Sequence, residues 1–178
     1  MITNLTEIFY IILLTLVIGY IFSGYIRIPG LYSRGFNWRG IKFAIIVTAP
    51  AIILHELGHK FVGLILGYSA MFFIWWPGLI LGIFLRIIGS PFLILAPGYV
   101  SVNPTVPLEL SAIAFAGPFI NLVLFSTAIL ILRFKRRLRR KEFLFWHLTK
   151  VINMWLFIFN MIPIPPLDGS KVLMGLLS

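Results

Sequence analysis

Residues 41–68 read IKFAIIVTAPAIILHELGHKFVGLILGY, an apolar run that carries His55-Glu56-Leu57-Gly58-His59 in its second half. About 20 consecutive apolar residues suffice for a helix to cross a hydrocarbon core roughly 30 Å thick. Each ionisable side chain at membrane depth costs about 2.5–3.5 kcal/mol on insertion scales, so such groups are functional by default. Two of the three histidines and one of the five acidic residues fall in this pentapeptide. The bland alternative is a set of polar groups pairing with neighbouring helices, which does not call for such clustering.

On a helix, residues i and i+4 share a face with Cβ atoms about 6 Å apart, close enough for His55 and His59 to bind one zinc ion. Glu56 can then reach a zinc-bound water, whose pKa the metal lowers to about 7, and accept its proton. A catalytic zinc takes three protein ligands and keeps one position open. The chain has no cysteine, which excludes thiolate ligands and disulfides, and His147 lies about 20 Å before Asn160 along a continuous helix. The sole aspartate, Asp168, sits in Asn160-Met-Ile-Pro-Ile-Pro-Pro-Leu-Asp168-Gly169, where prolines break the preceding span. Two readings of it stand side by side: third ligand, or N-cap of the last helix.

Outside this stretch the chain has the same character, 60% hydrophobic and 11% charged. Apolar spans are expected at Leu5–Ile26, at Ile41–Tyr68 with an interruption at Pro50, at Leu108–Leu132 and at Phe143–Ile162. The first span begins after an uncharged-to-acidic leader, so it reads as a retained helix and not as a signal peptide. Residues 71–104 are punctuated by Pro77-Gly78, Gly89, Pro91 and Pro97-Gly98. Their uninterrupted piece, Leu79–Ile88, is too short to cross, so a re-entrant or β-hairpin segment is expected there, with a strained full span to Ala96 as the alternative. The fold class is therefore an all-α polytopic membrane protein of about four to five transmembrane helices.

A net charge of +10 would suggest nucleic acid in a soluble protein. Here the basic residues cluster beside apolar runs, at Arg27, Arg34 and Arg39 and at seven of the nine positions from Arg133 to Lys141. Anionic lipid headgroups account for that better, and no nucleic acid partner is expected. Lys60 and Arg86 are expected to snorkel to an interface.

Three motifs in order resemble the site-2 protease family of intramembrane zinc metallopeptidases. They are His55 to His59, Gly117-Pro118-Phe119-Ile120-Asn121 and Asn160 to Gly169. The resemblance covers roughly residue 41 onward. It implies one Zn2+ per chain with His55, His59 and Asp168 as ligands, Glu56 as catalytic base and a membrane-spanning protein as substrate. It also raises Asn121 and Asn160 as amides that hold the substrate backbone or the oxyanion, a role each shares with the alternative of helix-to-helix glue. The chain then divides into an N-terminal membrane helix and basic loop, 1–40, and an intramembrane metalloprotease core, 41–178, similar to a minimal catalytic core.

The expected localisation is an integral, multi-pass protein of the cell membrane. Its sidedness stays open, because the positive-inside rule puts the basic loops in the cytoplasm whereas the resemblance puts them outside. A substrate unwound for cleavage could pair with a strand edge at Gly98–Val102 or Met71–Trp76. The competing functions are a catalytically inactive client-binding protein of the same fold and a metal or ion transporter. Glu56 beside the ligands argues against both. Oligomeric state is not legible.

Overall fold

A computed structural model describes residues 4–26, 37–91 and 97–178. The expectations that rest on Arg27, Arg34 and residues 92–96 of the stretch to Ala96 fall outside the described residues. Two compact units are present, one of residues 1–53 and 71–101, the other of 54–70 and 102–178. Along the chain they divide first between residues 53 and 54.

The first unit begins with α1, Leu5–Ser23. Asn4 caps it: its side chain accepts from the Glu7 N–H at 2.9 Å, while Glu7 Oε2 accepts from the Asn4 N–H at 3.2 Å. Such a capping box satisfies donors that a helix start leaves orphaned. Leu14, Ile18 and Ile21 are buried, and Leu5, Phe9, Ile12 and Leu16 are exposed. α2, Trp38–Ile65, runs straight through Pro50. The expected interruption does not occur, because a proline inside a membrane helix frees few backbone groups and its neighbours re-satisfy them.

After α2, the strand β1, Met71–Ile74, pairs antiparallel with β2, Gly98–Ser101, with Met71 opposite Ser101 and Ile74 opposite Gly98. Helix α3, Trp76–Ile87, lies between them in sequence. Its 12 residues rise about 18 Å, too little to cross a membrane alone. The outer side of β1 is engaged by α1, since Glu7 Oε1 accepts the Phe72 N–H at 2.7 Å. Arg86 does not extend away from the protein: its guanidinium lies over the Tyr20 ring at 5.6 Å and against Gly24. There it supplies a cation at the C-terminus of α1, whose own last turn has none.

The second unit holds the end of α2, then α4, Pro107–Phe134, α5, Arg140–Asn160, and α6, Asp168–Leu177. α2 ends at Ile65, and in the turn that follows Gly67 has a φ of 87°, open to glycine and costly for other residues. Small residues let the helices close up. Gly58 lies against the Ala116 carbonyl, and Gly175 against the Pro107 carbonyl and Ser111. Ser111 Oγ also donates to the Val172 carbonyl at 2.8 Å. Lys60 is 4% exposed, so it is enclosed by protein and does not snorkel.

Among the described residues, three helices are long and apolar enough to cross a membrane: α1, α2 and α4. α5 has comparable length, but its first turns carry Arg140, Lys141, Glu142, His147 and Lys150. The chain is mostly helical with several membrane-crossing candidates, the coarse form of the expected fold class.

Candidate metal centre

All three residues of the expected ligand set belong to the second unit. His55 and His59 stand one helical turn apart on α2, and their rings meet edge to face at 4.8 Å between centroids. Asp168 is the first residue of α6. It does not cap that helix, because the N-cap position is Leu167 and no side chain bonds there. Instead its Oδ2 lies 3.2 Å from His55 Nε2 and 3.3 Å from His59 Nε2, and the two Nε2 atoms are 3.1 Å apart.

The partners of the other ring nitrogens decide what those Nε2 atoms are. His59 Nδ1 is 2.8 Å from the Ile113 carbonyl, which can only accept, so Nδ1 carries the proton and Nε2 a lone pair. His55 Nδ1 is 2.7 Å from Asn121 Oδ1. The Asn121 amide donates through Nδ2 to Asn153 Oδ1 at 2.9 Å, so its oxygen faces His55 and again Nδ1 holds the proton. Two lone pairs and a carboxylate oxygen therefore converge on one point. Such a trio repels itself without a cation.

The donor set suits zinc, which favours imidazole and carboxylate in tetrahedral array. With bonds of about 2.0–2.1 Å, a tetrahedral site has edges of roughly 3.3 Å, close to the separations found here. Gly117 on α4 leaves the space for it. A Cβ at 117 would overlap His59 Nε2 and come within 2.8 Å of His55 Nε2. Gly169 plays a similar part behind Asp168, where a Cβ would strike the Met161 carbonyl and come within 2.7 Å of that of Ile162.

Burial opposes the charge on Asp168, which a cation held by the three atoms would offset. Its place in the first turn of α6 adds the favourable end of a helix dipole. Glu56 is half-buried and within electrostatic reach of His55, His59, Asp168 and Lys171.

Of the two amides singled out from sequence, Asn121 is fully buried and turned to His55. Asn160 donates to the Leu156 carbonyl of its own helix at 3.0 Å. His147 stacks on Phe143 and is not in the cluster. Asn153 and the Ile113 carbonyl were not anticipated. Asn153 carried a usable signal, a lone amide within the apolar run VINMWLFIF. The carbonyl carried none, because every residue has one.

A Methanocaldococcus jannaschii protein named "Putative zinc metalloprotease MJ0611" is 39% identical over 140 residues, 73% of this chain and 68% of that protein. Residues 137–178 match the profile of Peptidase family M50. The chain belongs to peptidase family M50, the site-2 protease family. The stretch that matches the M50 profile contains Asp168 and the proline-rich turn before it.

Proposed function

We propose that this M50 chain is an intramembrane zinc metalloprotease that hydrolyses peptide bonds of membrane-embedded protein substrates. The observation that carries the reading is the convergence of His55 Nε2, His59 Nε2 and Asp168 Oδ2 beside Glu56, on a helix apolar enough to cross a bilayer. His55, His59 and Asp168 would hold the zinc, one per chain. When bound, zinc supplies Lewis-acid polarisation of a carbonyl and acidifies a water to a pKa of about 7.

Glu56 takes the proton of the attacking water and returns it to the departing amide nitrogen, a general acid–base role. Its position one residue after His55 aims it off the ligand face but into the same field. Asn160 is assigned to the substrate backbone or oxyanion. Only one of its two amide hydrogens is used within its helix, and the next residue, Met161, lies against Gly169. The arrangement in the membrane is four crossing helices, with α5 added to α1, α2 and α4, and with β1, α3 and β2 entering without crossing. Their apolar lengths support this, as does the enclosure by protein of the polar groups at depth.

The test uses full-length chain in proteoliposomes with a single-span helical substrate and elemental analysis of bound metal. Glu56→Gln should keep one zinc and lose cleavage by about 10²–10⁴-fold, the range for removing a general base. Asp168→Ala should lose the zinc as well. Retained turnover in Glu56→Gln would overturn the role of Glu56, and metal-free wild type would overturn the whole reading.

A further inference from the structure

The hydrogen bond that sets the tautomer of His55 does not end at Asn121. Amide groups can face either way, and their orientation is settled only by a partner of fixed polarity. That partner is the Thr149 carbonyl of α5, an acceptor without alternative. Asn153 Nδ2 donates to it at 2.8 Å. Asn153 Oδ1 is thereby turned to α4, where it accepts from Asn121 Nδ2 at 2.9 Å. Asn121 Oδ1 is turned in consequence to His55 Nδ1 at 2.7 Å. Asn121 and Asn153 are 0% and 1% exposed, so solvent does not compete for either amide.

We propose that Asn153, acting through Asn121, is a positioning residue for the metal centre: it fixes the proton of His55 on Nδ1 and so presents Nε2 to the ion. The inference rests on the reading of His55, His59 and Asp168 as zinc ligands and adds to it a residue from a third helix. Metal-bound histidines regularly donate their second ring N–H to an outer partner, and loss of that partner costs about 10–100-fold in affinity. Most such partners are carboxylates or carbonyls that accept in every orientation. An amide does so only if something holds its oxygen toward the ring, which is the work assigned here to Asn153. His59 needs no such relay, because its Nδ1 meets a backbone carbonyl directly. Asn121 on this account does not touch the substrate.

The experiment measures zinc affinity of the full chain in detergent micelles, by competition with a chromophoric chelator, alongside thermal unfolding in excess chelator. Wild type and Asp168→Ala come first: zinc bound by wild type and lost in Asp168→Ala upholds the ligand reading, whereas no zinc in wild type ends both that reading and this one. Given binding, Asn153→Leu should weaken zinc tenfold or more. Adding Asn121→Asp to it should restore affinity to within about threefold of wild type, because a carboxylate accepts from Nδ1–H in any orientation. A merely structural Asn153 would lower the unfolding temperature of the metal-free chain, leave zinc affinity unmoved, and not be rescued by Asp. Wild-type affinity in Asn153→Leu overturns the proposal. Should Asn153→Leu fail to fold, Asn121→Leu and Asn121→Asp replace it: the first should lose tenfold and the second should not, and equal affinities overturn the proposal.

Discussion

Gly117 shows how a residue with no functional atom can leave room for the candidate metal centre. On helix propensity alone, Gly117→Ala inside α4 should stabilise that helix by roughly 0.8–1.0 kcal/mol. Its new Cβ, however, would occupy the space of His59 Nε2 and crowd His55 Nε2. We expect Gly117→Ala to retain helical circular dichroism and lose its zinc, weakened at least tenfold by chelator competition. One tightly held zinc in the alanine variant would mean that the rings can turn aside and that the cradle is not needed. His55, Glu56 and His59 are legible in the sequence because their spacing is a local property of one helix. Asp168 is less so, since capping and ligation use the same residue type, and only the folded turn brings its Oδ2 to the two imidazoles. The protein around Lys60 is non-local in the same sense, and side-chain chemistry alone pointed the wrong way.

At the level of elements, the four-residue strands are the part of the fold least readable in advance. Proline and glycine signals mark 71–104 as broken, but the strand pairing of Met71 with Ser101 rests on contacts between residues distant in sequence. Glu7 is one such contact, a carboxylate on a membrane-type helix that satisfies both its own helix start and the outer side of β1. Glu7→Ala would leave the Phe72 N–H buried without its acceptor, at a cost of about 1–3 kcal/mol, and would remove half of the capping box. Hydrogen-exchange mass spectrometry of residues 71–74 should show faster exchange in Glu7→Ala and an intermediate rate in Glu7→Gln, which keeps one acceptor oxygen. Unchanged protection in the alanine variant would show that strand pairing alone holds β1.

Across the second unit, depth follows from counting along two antiparallel helices. Asn121 lies 13 positions before Phe134, the end of α4, and Asn153 lies 13 positions after Arg140, the start of α5. At 1.5 Å per residue, the paired amides sit about 20 Å from the basic connection along both helices, which in the proposed four-helix arrangement puts them inside a 30 Å core. In that proposed arrangement the connection lies at a membrane surface, where its charge acquires a use. Arg133 to Lys141 carry seven cations, and the adjacent Glu142 pairs with Lys135 at 3.5 Å. Each Lys or Arg near an anionic surface contributes about 1 kcal/mol, screened within a Debye length of about 8 Å at physiological salt. Micelles doped with an anionic phospholipid should therefore raise the unfolding temperature of wild type more than micelles doped with a zwitterionic one, and the difference should shrink in high salt. Replacing Arg136, Arg137, Arg139 and Arg140 together by Gln should abolish the difference and leave zinc affinity unchanged, because the centre lies some 20 Å away. Equal response of wild type to both lipids would mean that these cations serve only to orient the chain during insertion.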